Sequence, residues 1–167
     1  NIGYIPQMIF MLDDTIRRNI AFGIPDEEID EQRVWEVLEE AQLKEFVEEL
    51  PEGLDTTIGD RGVRLSGGQR QALTLLMATM KKPKVLLLDE HTAALDPKTA
   101  AKVLEATDRI VGENRLTTLM VTHNMHDAIE HGNRLIMMSN GKIIYDVSGE
   151  EKKKLQVQDL LQKFEEA

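Results

Sequence analysis

The 167 residues contain no cysteine. That excludes disulfide frameworks, thiolate zinc sites and cysteine nucleophiles, and it points to a reducing compartment, with the cytosol as the expected setting. There is no apolar run approaching the roughly 18 residues that span a bilayer, and Asn1-Ile2-Gly3 opens no charged-then-apolar leader. Any membrane association is therefore expected to come through a partner. The first residue is not Met and an apparent strand begins almost at once, so we expect the upstream portion to have been cut away and the chain to be a fragment. Repeats, low-complexity stretches, flexible linkers and long coiled coils are missing as well. A chain of this length builds one ordinary core, burying about two-thirds of its unfolded surface.

What the chain has in excess is acid. Its net charge is −10, and residues 1–64 hold 16 acids against 6 bases, whereas residues 65–167 hold 14 of each. A solvated helical face explains the imbalance, and an acidic surface repels phosphate backbones, so no nucleic-acid partner is expected.

Ile2 to Pro6 reads as a strand running into a loop at Gln7. A short helix from Thr15 to Phe22 stops at Gly23-Ile24-Pro25, and Asp30 to Leu50 repeats apolar residues at helical spacing, as two helices broken near Gln42. Ser66 is placed to cap a helix running through Met80. Val85 to Leu88 is a continuous apolar strand of the kind buried on both faces of a parallel sheet. A helix from Pro97 to about Glu113, a strand from Thr117 to Thr122 and a helix from Asn124 to Glu130 follow. Leu135 to Met138 and Lys142 to Val147 flank Ser139-Asn140-Gly141, a hairpin signal, and Glu150 to Phe164 reads as one or two short helices. The alternation of strands and helices gives an α/β sheet with a mostly helical insertion at residues 12–55.

Leu65 to Gln69 read LSGGQ, and Lys84 to Glu90 read KVLLLDE. Gly67 and Gly68 lack a Cβ, so the backbone there can approach a phosphate closely, while Ser66 offers a hydroxyl and the helix presents its positive end. A capped helix start alone would explain the serine but neither the glycines nor the glutamine. Asp89 and Glu90 end a strand, a hard oxygen ligand followed by a candidate base.

These motifs, in this order, resemble the ATP-binding cassette (ABC) transporter ATPases, and the resemblance extends over nearly the whole chain. It implies a partial P-loop ATPase fold: a parallel sheet flanked by helices, a helical subdomain over residues 12–80, an α/β core over 1–11 and 81–150, a C-terminal β-hairpin, and terminal helices over 151–167. Gln7 in YIPQ resembles the Q-loop glutamine, which touches magnesium or the attacking water and senses the membrane partner. Asp89 resembles the magnesium-holding carboxylate and Glu90 the general base. Leu65, Ser66, Gly67, Gly68 and Gln69 resemble the signature that closes over ATP held by an opposing subunit. Asp96, in Ala94-Leu95-Asp96, resembles the D-loop aspartate that crosses the dimer interface, and His123 the switch histidine at the γ-phosphate. Thr57 to Gly62, TIGDRG, resembles the exporter loop that contacts transmembrane coupling helices; read by itself it is a glycine-rich turn. The implied setting is a head-to-tail dimer with another ABC ATPase domain, using Mg and ATP at the cytoplasmic face of a membrane through a transmembrane partner.

The G-x-x-x-x-G-K-[ST] loop that should accompany these motifs occurs nowhere in the sequence. Its lysine and hydroxyl would grip the β- and γ-phosphates and complete the magnesium site, so little intrinsic ATP affinity and no turnover by the chain alone are expected. The adenine-stacking aromatic is missing too. In the resembling fold the P-loop strand lies between Thr117–Thr122 and Leu135–Met138, and unpaired backbone groups there would cost on the order of 1–3 kcal/mol each if buried. The two strands close up, another chain supplies the missing one, or the fold is marginal.

The first part of the chain resembles exporters and lipid flippases, the second an importer-like branch with His91 after the base, as in a chimera or an unusual natural branch. His91 is expected behind the site or at the surface. His123, His126 and His131 do not share one helical face, so zinc is not expected, and the methionines read as core filler. Two other functions compete: a catalytically inactive truncated or chimeric interaction module, and a non-transport ABC ATPase.

Overall fold

The computed structural model describes residues 2–166. Where one core is expected of this length, the chain divides into two compact units, one running through Val121 and the other from Thr122, each with its own apolar cluster. The first is built on three parallel strands, β1 (Ile2–Ile5), β2 (Val85–Asp89) and β3 (Thr117–Val121), with β2 in the middle. Ile2 lies beside Val85 and Val85 beside Thr117, and the register carries Ile5, Leu88 and Met120 into one row.

Alternation along the strands divides the sheet into unlike faces. Ile5, Leu86 and Leu88 are buried on one of them. Gly3 shares this face because a Cβ there would stand 2.7 Å from the Ala78 carbonyl oxygen, at the end of helix α4 (Gly67–Thr79). The opposite face is open: Ile2, Tyr4, Leu119 and Val121 are 65%, 54%, 56% and 51% exposed. The all-apolar Val85–Leu88 run predicts burial on both faces, and only one is fully covered: Leu86 and Leu88 are buried while Val85 and Leu87 stay half-buried.

The helical part begins with α1 (Ile16–Ile20), whose Thr15 hydroxyl accepts from the Arg18 N–H at 3.2 Å. In α2 (Glu31–Glu40), Asp30 caps the start through the Arg33 N–H, and Val34, Val37 and Leu38 are buried at helical spacing. Gln42, in the left-handed region at φ 57°, separates α2 from α3 (Lys44–Glu48). The segment before α1 is stitched to residues 56–58: the Ile16 N–H donates to the Thr56 carbonyl and the Ile58 N–H to the Asp14 carbonyl, at 3.0 and 3.1 Å. Ile16, Ile20, Val34, Leu38 and Ile58 join Leu73, Leu75 and Leu76 of α4 and Leu86 and Leu88 in one apolar core. Helix α5 (Pro97–Asn114) buries Val103, Leu104, Ala106 and Ile110.

In the second unit Asn124 caps α6 (Met125–Glu130), and β4 (Arg134–Ser139) pairs antiparallel with β5 (Lys142–Ser148). Asn140 and Gly141 both take positive φ, 49° and 75°, as a two-residue hairpin turn matched to strand twist requires. Leu135, Met137 and Val147 pack on Leu160 of α8 (Val157–Glu165), after the short α7 (Gly149–Lys152). The buried Lys152 ammonium donates to the Ile129 and His131 carbonyls at the end of α6, and burial lowers its pKa. The strand before His123 and the hairpin belong to different sheets: among the described residues the strands form one sheet in the order β1-β2-β3 and another of β4 with β5. Nor, among these residues, is any helix long and apolar enough to cross a membrane.

Candidate functional site

Strands β1 and β2 run parallel, so the loops leaving their C-terminal ends emerge side by side. Crevices at that edge are where open α/β sheets bind ligands. Gln7 leaves β1 and Glu90 leaves β2, and the Gln7 amide donates through Nε2 to Glu90 Oε2 at 3.3 Å. Asp89, the last residue of β2, accepts from the Tyr4 hydroxyl at 3.3 Å. Loss of water around it, followed by the hydrogen bond and charge of Asp89, raises the pKa of that hydroxyl. Tyr4 was no part of the sequence-based site; its only sequence signal is its place three residues before Gln7.

The Glu90 backbone is in the left-handed region at φ 47°, which a side chain with a Cβ rarely adopts. Its N–H donates to the Val121 carbonyl at 2.9 Å, and its own carbonyl accepts from Ala93 at 3.0 Å, so a tight turn leaves the end of β2. Strain of this kind concentrates at functional positions. His91, next along, is not at the surface: it is 2% exposed, with Nε2 3.2 Å from the Thr107 hydroxyl of α5, which donates onward to the Val103 carbonyl. His123 follows β3 by two residues, is exposed, and belongs to the second unit.

At the start of α4, Ser66 and Gln69 form a capping box. The Gln69 N–H donates to the Ser66 hydroxyl at 3.2 Å, and the Ser66 N–H donates to Gln69 Oε1 at 2.8 Å. A capped helix start therefore explains the glutamine as well as the serine. The glycines have a separate cause, the packing of α5 and the turn before it: a Cβ on Gly67 would stand 3.1 Å from Leu95 Cδ2, and one on Gly68 would collide with Thr99 Cγ2. Both glycines thus have intrachain neighbours where the sequence suggested open approach to phosphate.

Arg70 ties this turn to the TIGDRG loop, its Nη1 donating to the Leu65 carbonyl at 2.8 Å and the Gly62 carbonyl at 3.4 Å. In that loop Gly59, Arg61 and Gly62 all have positive φ, at 77°, 53° and 69°. Asp96 caps α5, accepting from the Thr99 N–H at 3.1 Å. The Thr99 hydroxyl, then that N–H, hold the Asp96 carboxyl below the usual carboxylate range.

Among the described residues no three His, Cys, Asp or Glu side chains converge as a metal cage. One carboxylate and one amide oxygen, from Asp89 and Gln7, suit magnesium, which keeps several waters and takes phosphate oxygens as its other ligands.

The family model for the ABC transporter matches residues 1–93, more than half of the chain. The chain belongs to the ABC transporter family. The tyrosine transport ATP-binding protein of Clostridioides difficile is 58% identical over 103 residues, covering 62% of this chain and 41% of the relative. An ATP-dependent lipid A-core flippase of Ralstonia nicotianae is 40% identical over 144 residues, covering 86% and 24%. The solved structure of a bacterial Atm1-family ABC exporter with ATP bound superposes with a TM-score of 0.75 at 29% identity, covering 98% of this chain and 26% of that one. This ABC transporter ATP-binding chain thus spans between about a quarter and two-fifths of the relatives it matches.

Proposed function

We propose that this chain is the signature-bearing and magnesium-binding part of an ABC ATPase domain that pairs head to tail with another ABC ATPase domain and couples ATP hydrolysis to transport. The observation that carries the reading is the Gln7–Glu90 pair beside Asp89 at the C-terminal edge of the parallel sheet. Residues 12–80 act as the helical subdomain, 1–11 and 81–150 as the α/β core, and 151–167 as terminal helices.

Glu90 is the general base. The Gln7 amide, donating to its carboxylate, fixes its direction, and a base so placed contributes about 10²–10⁴-fold by taking the proton of the attacking water. Asp89 and Gln7 hold magnesium, which would supply charge neutralisation at the β- and γ-phosphates of ATP. The Ser66 hydroxyl and the N-terminal end of α4 face the γ-phosphate of ATP on the opposing domain, with Leu65, Gly67, Gly68 and Gln69 shaping that turn. Asp96 crosses to the same domain, and His123 contacts the γ-phosphate on this chain's own side. The P-loops come from outside these 167 residues. The loop after Gln7 and the Thr57–Gly62 turn engage a transmembrane domain, which keeps the chain at the cytoplasmic face of the membrane.

Two assays test this. Phosphate release from Mg-ATP is expected to be absent for the chain alone and for Glu90→Gln alike, and turnover abolished by that substitution would overturn the need for an external P-loop. Added to a P-loop-bearing ABC ATPase domain whose own signature serine is replaced, the chain is expected to restore hydrolysis, and Ser66→Arg to remove the gain. No restoration at any ratio would sink the paired site. It would favour the inactive interaction module, to which the open sheet face and the terminal β3 also lend support.

A further inference from the structure

Two helix starts meet in the first unit. The turn at Ser66–Gln69 begins α4, and the turn at Asp96–Thr99 begins α5. They meet at Gly68: with no Cβ it leaves a notch, and the Thr99 methyl, Cγ2, occupies it. The Thr99 Cβ is 3.9 Å from where a Gly68 Cβ would be, so only the methyl fills the notch. Leu95 Cδ2 lies over Gly67 in the same way. On its other side Thr99 donates its backbone N–H to Asp96 Oδ1 at 3.1 Å.

We propose that Thr99 is a positioning residue, a strut whose methyl is seated in the Gly68 notch and whose backbone N–H holds Asp96, so that the signature turn and the Asp96 turn move as one body. The branched side chain supplies the methyl: serine would leave the notch empty, whereas valine would keep it filled. The two turns are the ones assigned above to the opposing domain. A displacement of either on pairing is handed to the other through the Thr99 and Leu95 side chains. That use in a paired site rests on the reading proposed above, whereas the coupling is a property of this chain alone.

The test is therefore made on the chain without nucleotide, by NMR titration of the Asp96 carboxyl and hydrogen exchange of the Thr99 amide. In Gly68→Ala the new methyl displaces Thr99, so the Asp96 midpoint is expected to rise toward the ordinary carboxylate value and the Thr99 amide to exchange about fivefold faster, the factor for losing one helix cap. In Gly68→Ala/Thr99→Ser both are expected to return to the wild-type values, and in Gly68→Ala/Thr99→Val neither does. A purely structural loss of stability would not be repaired selectively by serine. An Asp96 titration unchanged in Gly68→Ala, or equal rescue by serine and valine, would overturn the strut. If Gly68→Ala does not fold, recovery of cooperative unfolding by added Thr99→Ser supports it, and failure to recover refutes it. Because no nucleotide is present, the result is independent of whether the paired site turns over ATP.

Discussion

Ser66 has two assignments, a helix cap that the geometry displays and a phosphate contact that we propose, and two substitutions separate them. Ser66→Ala removes the oxygen that accepts from the Gln69 N–H at 3.2 Å and breaks the reciprocal capping box. The turn is partly exposed, so water takes over the amide and the cost is that of an ordinary N-cap, about 1 kcal/mol. For a chain of this size that lowers Tm by roughly 2–4 °C. Ser66→Asp keeps an acceptor oxygen and places a negative charge at the positive end of α4, so its Tm should stay within about 2 °C of wild type. The same charge is ruinous for a γ-phosphate. Two unit charges about 5 Å apart at an effective dielectric near 20 repel by roughly 3 kcal/mol, more than a hundredfold in apparent affinity. Thermal unfolding followed by far-ultraviolet circular dichroism gives the first quantity. Restored ATP turnover in the signature-deficient mixture gives the second. Wild-type turnover with Ser66→Asp would refute phosphate recognition at this helix start, and an unchanged Tm in Ser66→Ala would refute the energetic role of the capping box.

Gly3→Ala drives a methyl against a backbone carbonyl, which cannot rotate away, so it should cost about 1–3 kcal/mol and lower Tm by roughly 3–10 °C; a loss below 1 °C would mean that the end of α4 yields freely. Glu90→Gly relieves the left-handed backbone at φ 47° and should leave Tm unchanged or raise it by roughly 2–4 °C, at about 1 kcal/mol; a fall of similar size would show that the Gln7 contact outweighs the strain. The folded-state pKa of Asp96 lies below the ordinary value, so its stabilising contribution is present above the unfolded-state pKa and lost as pH falls through the folded one. Asp96→Asn, which keeps the cap, should therefore flatten the decline of Tm in acid relative to wild type, and parallel curves would contradict the assignment.

The sequence pattern exposed whatever depends on neighbours within about one helical turn. Ser66 before a helix, the Asn140-Gly141 turn and the apolar rhythm of α2 all act locally, and each is seen where the pattern points. The capping box was equally readable, as Ser-x-x-Gln, but the glutamine was attributed to phosphate chemistry instead. Longer-range facts were hidden. Nothing near Gly68 announces Thr99, and nothing in Val85–Leu88 says that one sheet face stays open, because apolar residues alternate invisibly when every position is apolar. Resemblance assigns Gln7 and Glu90 to one site, but their contact is not legible in the sequence, since the two residues are brought together by strand register.

The same register sets a schedule for folding. Among the described residues β1 pairs with β2, about 80 residues downstream, whereas β4 finds β5 across a two-residue turn. During synthesis at about 5–20 residues per second the first strand must wait roughly 4–16 s for its neighbour to be made. The hairpin, by contrast, can close within microseconds of emerging. Through that interval Ile2, Tyr4 and Ile5 form a short apolar segment without β2 beside it. Slower translation ahead of residue 85 would lengthen the exposure and raise the demand on chaperones without altering a single contact of the finished fold.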